Sequence, residues 1–175
     1  MPRMTDPPLR AVTFDFWNTL VDQSSGTSRH HRLEAWLEVL EAEGMAVERA
    51  HLDAALDVGR TAFDTAWRAN RHYGAADSVQ DSLAHLGLQL PARVVDALID
   101  IINNPPGLRP STSPNVQVAL EALAAAGVRI GIICDVGLTP SSSLRRYLAE
   151  HEILGFFDHW SFSDEVGTFK PDPRI

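Results

Sequence analysis

The sequence predicts an α/β protein: a doubly wound, Rossmann-like parallel sheet with an α-helical block inserted after its first strand. Three observations predict it. Two short apolar runs, at 10–14 and 128–133, have the composition of buried strands, and each is followed closely by an aspartate. A long stretch of helical periodicity separates them. From Pro114 onward helix and strand patterns alternate over short connections, as in parallel sheets joined by crossover helices.

Composition sets the bounds. A chain of 175 residues, 45% hydrophobic, has room for one domain with an insertion and a sizeable core. The formal net charge of −8 argues against nucleic acid or an anionic membrane as partner. No run approaches the ~18 apolar residues of a membrane span. The N-terminal MPRMTDPPLR has no apolar stretch of signal-peptide type. Cys134 is the single cysteine, which rules out an internal disulfide and is consistent with a reducing, cytoplasmic setting. The seven histidines show no metal-ligand spacing and are expected on the surface. The expected partner is a small-molecule substrate; a homo-oligomer stays open.

Taken in order, residues 1–9 form a proline-containing tail. Residues 10–15 are the first strand, apolar on both faces and suited to a central position covered by helices. Residues 21–27 are polar, contain Gly26 and are expected to form a loop. A helix spans 28–43: Leu33, Trp36, Leu37 and Leu40 recur at three and four, with Glu34, Glu38 and Glu41 opposite, and Gly44 stops it. Residues 48–73 carry a second stripe of Leu52, Leu56, Phe63 and Trp67, with Gly59 as its weak point. Two shorter helices follow at 77–86 and 91–102, with Pro91 well placed in a first turn. Residues 103–114, NNPPGLRPSTSP, hold four prolines and a glycine and form a linker. The helical block is therefore 23–107, and 22–27 and 107–114 are its expected hinges. The sheet core comprises 1–22 and 108–175. Within it, 115–126 is a helix with Val116, Leu120 and Leu123 inward and Gly127 as its cap. Residues 128–133 are the second strand. Thr139 or Ser141 caps a helix running to His151, with Pro140 in its first turn. Residues 160–162 are a third strand.

Chemistry concentrates at the strand ends. In an open α/β sheet, ligands bind beyond the carboxyl ends of the strands, and RAVTFDFWNTL (10–20) puts Asp15 there. This segment resembles the first motif of the haloacid dehalogenase (HAD) superfamily, a hydrophobic strand followed by D-x-D-x-T/V-L/V. Asp15, Asn18, Thr19 and Leu20 fit; Trp17 stands where the second Asp would be. Residues 130–134 lie where the second motif has a strand ending in Ser or Thr, with Cys134 in that place and Asp135 after it. Lys170-Pro171-Asp172-Pro173 fits the third motif, a lysine before a proline-containing helix start.

The resemblance implies roles. Asp15 would be a nucleophile that forms a covalent aspartyl intermediate, later cleaved by water. Lys170 would supply a fixed positive charge beside it. Asn18, Thr19, Cys134 and Asp135 would bind substrate. Mg²⁺ would be held by the Asp15 carboxylate and the Trp17 backbone carbonyl. The helical block would be a cap that closes over the pocket. The second Asp of the family's phosphatases is a general acid and base; an indole does not titrate, so Trp17 cannot replace it. The family's dehalogenases also carry an aromatic residue there. A thiol donates more weakly than a hydroxyl, so weak anion binding is expected at Cys134. The bland alternatives are a turn carboxylate for Asp15, a solvated lysine for Lys170 and a buried structural thiol for Cys134, the last being favoured.

The family's fourth motif, an acidic pair on a later strand, does not follow Lys170. Without that strand the first one is expected to be an exposed apolar edge, and the chain to be truncated, partial or completed by another. Three functions stand. The leading one is hydrolysis of a small phosphate monoester with Mg²⁺. The second is metal-free dehalogenation of a 2-haloacid, whose carboxylate Arg29, Arg32 or Asn18 would hold. The third is a non-enzyme with a decayed site.

Overall fold

The computed structural model describes residues 9–22, 25–107 and 109–175. The expected N-terminal tail, 1–8, and parts of both expected hinges lie outside the described residues. The chain runs β1 (Ala11–Phe14), β2 (Val21–Asp22), α1 (Ser25–Ala42), α2 (Arg49–Arg68), α3 (Ala75–Leu86), α4 (Ala92–Asn103), β3 (Ser111–Thr112), α5 (Val116–Ala125), β4 (Arg129–Cys134), α6 (Ser141–Glu150), a 3-10 turn (Leu154–Phe156), β5 (His159–Phe162) and α7 (Ser163–Val166).

A parallel sheet in the order β1-β4-β5 forms the core, in agreement with the doubly wound expectation. Phe14 lies opposite Ile132 and Cys134 opposite Phe162, so the carboxyl ends of all three strands share one rim. The position of β1 matches one expectation, an exposed edge, and not the other, a central strand. Among the described residues β1 pairs only with β4, which makes it an edge strand. Ala11 and Thr13 are exposed, while Val12 and Phe14 are half-buried. The first strand packs on the core through Phe14 and is anchored further by the turn after it, whose Phe16, Leu20 and Val21 are fully buried. These pack with Ile130, Ile132 and Cys134 of β4, Leu144 and Leu148 of α6, and Phe162 of β5.

The helical stripes form a second core. Leu33, Trp36 and Leu40 of α1 meet Leu52 and Leu56 of α2, Val79 and Leu83 of α3, and Leu98 and Ile102 of α4. Each fully buried Leu or Val contributes about 1.5–3 kcal/mol, whereas half-exposed ion pairs contribute about 0–1 kcal/mol each. Packing therefore dominates the block. Gly59 does not weaken α2. A Cβ built there would sit 2.3 Å from Ser78 Oγ and 3.0 Å from Ser78 O, so glycine is what lets α2 and α3 approach.

Four further expectations are corrected. Residues 21–27 are not all loop: β2 pairs antiparallel with β3, and Ser113 N–H donates to Leu20 O at 3.0 Å. The two connections thus brace each other, which two separate sequence segments did not reveal. The second helix ends at Arg68 rather than Tyr73, and the third begins at Ala75 rather than Asp77. The N-terminus of α6 follows Pro140 but has no local side-chain cap; Asp164 Oδ2, brought over by the unexpected short α7, accepts the Ser141 N–H at 2.9 Å. From Lys170 to Arg174 the chain makes turns. Of the histidines, His31 and His151 are half-buried, and His151 Nε2 lies 2.8 Å from Pro110 O.

Candidate active site

The turn after β1 presents Asp15. Phe16 O accepts the N–H groups of Leu20 at 2.9 Å and Val21 at 3.1 Å, and Asn18 N–H donates to Val21 O at 2.8 Å. Asn18 takes φ 56°, a left-handed conformation that asparagine adopts more readily than most residues. The buried members of the motif, Phe16 and Leu20, pin the turn to the core. Its polar members stay outside.

Lys170, 155 residues away in sequence, meets this carboxylate: Nζ donates to Asp15 Oδ1 at 2.9 Å. The Phe16 N–H also donates to Oδ1 at 2.9 Å. Among the described residues the hydrogen bonds to this carboxylate fall on Oδ1, and Oδ2 accepts none. The lysine Nζ also points to Ile133 O at 3.5 Å. The side chains of Lys170 and Asp15 are 36% and 45% exposed, so the pair is open to a ligand. An ion pair this wet contributes little stability; its geometry suits chemistry better than folding. A cleft of about 500 Å³ adjoins Lys170, lined by Trp67, Arg68, Asn70, Phe169, Pro171 and Asp172.

The other expected site residues are placed differently. Cys134 lies at the tip of β4 but is fully buried. Burial, reinforced by the charge of Asp15, pushes its thiol up to about 12, so it is a thiol at neutral pH. Asp135 is engaged on both oxygens: Oδ1 accepts the Lys170 backbone N–H at 3.0 Å, and Oδ2 accepts the Trp67 indole N–H at 3.2 Å. It links the Lys170 backbone to Trp67 of α2. Asn18 is exposed at the turn. Thr19 lines a crevice against α5 with Phe14, Pro114 and Leu120, whose lining includes neither Asp15 nor Lys170. The Trp17 ring packs edge-on against Phe16 at 4.9 Å and faces Tyr147 at 6.4 Å.

Two residues near the site escaped the sequence. Trp67 was expected in the helical stripe; it is 42% exposed and bonds Asp135. Asn70 bonds the segment before Lys170. An asparagine just past a helix end signals a left-handed stop, but nothing local shows what its amide will meet.

The arginines divide. Arg29 is committed within the helical block, donating to Asp53 Oδ1 at 2.7 Å and Asp57 Oδ1 at 2.5 Å. Arg32 has no carboxylate partner among the described residues. Its Nη2 donates to Ile102 O at 2.8 Å, and its Nε is buried without a partner. Burial pulls its guanidinium below the usual arginine range, with the adjacent Tyr147 opposing.

The donor set fits Mg²⁺ poorly. The ion wants near-octahedral oxygen coordination, and no group of three or more His, Cys, Asp or Glu suited to a metal occurs among the described residues. Asp15 is shared with Lys170, and Asp135 already accepts one hydrogen bond on each oxygen.

A family model described as haloacid dehalogenase-like hydrolase matches residues 9–175. No curated protein matches the chain in sequence. Among solved structures, an L-2-haloacid dehalogenase from Xanthobacter autotrophicus superposes with a TM-score of 0.52 at 19% identity, over 95% of this chain and 62% of that one. A protein described as a HAD-hydrolase, YfnB from Bacillus subtilis bound to magnesium, gives 0.61 at 13% identity, covering 96% and 71%. A predicted phosphoglycolate phosphatase from Haemophilus somnus gives 0.50 at 16%, covering 94% and 67%. The chain thus spans 62% of the length of the Xanthobacter dehalogenase. At these identities the likeness is one of fold.

Proposed function

The chain belongs to the haloacid dehalogenase-like hydrolases, and from that premise we propose that it hydrolyses a small organic anion through a covalent ester on Asp15, with 2-haloacids as the substrate class. The observation that carries the reading is the Asp15–Lys170 contact, in which both donors hold Oδ1 and leave Oδ2 to attack.

Oδ2 would displace the halide at the saturated carbon: a C–O bond forms, the C–halogen bond breaks, and the halide leaves with its electron pair. A halide needs no proton to leave, so this first step needs no acid at Trp17. Water then adds to the ester's carboxyl carbon. The bond between that carbon and the substrate oxygen breaks, one proton of the water passes to the departing oxygen, the 2-hydroxy acid leaves, the Asp15 carboxylate returns and the other proton goes to solvent. In this second step Oδ1 is the oxygen that gathers negative charge. Lys170 Nζ and the Phe16 N–H already point at it, so the two groups that orient the nucleophile also stabilise the tetrahedral intermediate. For the substrate carboxylate, Arg32 is favoured over Arg29, because Arg29 is already held by two aspartates.

Phosphate monoesters are the second reading. The same pair would serve attack on phosphorus, but the leaving alkoxide would find no acid at Trp17, and the Mg²⁺ that the family resemblance implies has a poor donor set here. The helical block would serve as the cap in either case.

The test compares halide release from 2-chloropropionate in metal-free buffer with phosphate release from an aryl phosphate plus Mg²⁺. Halide release that Asp15→Asn abolishes, by at least about a hundredfold, is expected. Asp15-dependent phosphate release alone would select the second reading. Silence in both, from protein folded by circular dichroism, would overturn both.

A further inference from the structure

Lys170 is held by two anchors, and one belongs to the helical block. From the core, Asp135 Oδ1 accepts the Lys170 backbone N–H at 3.0 Å. From the block, the Asn70 amide grips the residues on either side. Its Oδ1 accepts the Thr168 hydroxyl at 2.9 Å and the Phe169 N–H at 2.8 Å, and its Nδ2 donates to Asp172 Oδ2 at 3.2 Å. Trp67, three residues earlier, donates to the free oxygen of Asp135 at 3.2 Å. Phe63, one turn further back, packs edge-on against Phe169 at 6.3 Å.

An asparagine after a helix often only stops it. Asn70 does take the left-handed conformation, at φ 50°. But its amide bonds reach residues 98 to 102 positions away, which local stopping does not require. The Asp15–Lys170 pair is too exposed to fix a flexible four-carbon side chain by its own attraction. Placement of Nζ must come from where the backbone is held.

We propose that Asn70, supported by Trp67, is a positioning residue that aims Lys170 at Asp15 and so ties the seating of the helical block to completion of the catalytic pair. The idea rests on the role given to Lys170 above, but its first test does not need activity. Asn70→Gly deletes the amide while glycine keeps the positive φ without strain. Asn104→Ala serves as control: the Asn104 carbonyl accepts Ser143 Oγ and an Arg146 N–H, both at 2.7 Å, in another contact between block and core.

Lys170 acetylation by a water-soluble acylating reagent, followed by peptide mass spectrometry, reads how firmly the ammonium is held. The rate should rise about tenfold in Asn70→Gly and stay within about twofold of wild type in Asn104→Ala. If Asn70→Gly does not fold, Trp67→Phe, which removes the indole N–H and keeps an aromatic ring, should raise the rate in the same direction. An unchanged rate in the folded variant, or an equal rise in the control, overturns the proposal. With 2-chloropropionate, kcat of Asn70→Gly should fall about ten- to hundredfold while KM changes much less. Failure of wild type to turn over would defeat the functional reading and leave the acetylation result to judge this one.

Discussion

At the scale of single residues, the site is a division of labour between two neighbours at a strand tip. Asp15 is open and Cys134 is sealed, although both end parallel strands of one sheet. The difference lies in which strand carries them. Asp15 ends the edge strand β1, and Cys134 ends β4, the middle strand. The consequence for Cys134 is measurable. Its thiol is raised to about 12 from an ordinary 9.0, so at about pH 8 its thiolate fraction is roughly a thousandfold below that of the unfolded chain. A disulfide reagent should label it about that much more slowly in buffer than in denaturant. The sign for stability follows. Below about pH 9 both states keep the proton and nothing changes. Between about 9 and 12 the unfolded state releases it first, so stability falls as pH rises, by up to ~1.4 kcal/mol per pH unit. Cys134→Ala should remove that part of the slope. Fast labelling of native protein would contradict the burial.

At the scale of elements, periodicity carried most of the information. The stripes through Leu33, Leu40, Leu52 and Leu56 are buried where the spacing puts them, because a helix face is a local property. What failed was set by distant partners. The pairing of β2 with β3 and the capping of α6 by Asp164 each depend on residues far along the chain. Gly59 shows the same lesson in reverse: a residue that looks like a weak point within its helix is required by the neighbouring one. Gly59→Ala gains about 1 kcal/mol of helix propensity but forces a methyl against Ser78, a misfit that costs about 1–3 kcal/mol. The backbone oxygen of Ser78 at 3.0 Å cannot rotate away, so the misfit should win. Urea unfolding should show a net loss of about 1 kcal/mol; a net gain would mean that α2 and α3 have room to spare.

At the scale of the molecule, two hydrophobic cores meet along a seam of polar contacts, and the Asp15–Lys170 pair sits beside that seam. Asp15 and Lys170 were legible because the segments that carry them resemble motifs of the haloacid dehalogenase superfamily. The seam was not, because Trp67 and Asn70 carry no motif and acquire their role only when α2 lies across the 168–172 segment. The arrangement makes one claim above all, that the carboxylate of Asp15 becomes covalently bonded to substrate. Turnover of 2-chloropropionate in heavy-oxygen water, followed by mass spectrometry of the peptide containing Asp15, tests it most directly. Water that opens an aspartyl ester leaves its oxygen in the carboxylate, so the peptide should gain the mass of one or two heavy oxygens. Label confined to the hydroxy acid from the first turnover, with the Asp15 peptide unchanged, would mean that water attacks the substrate directly and would contradict the account.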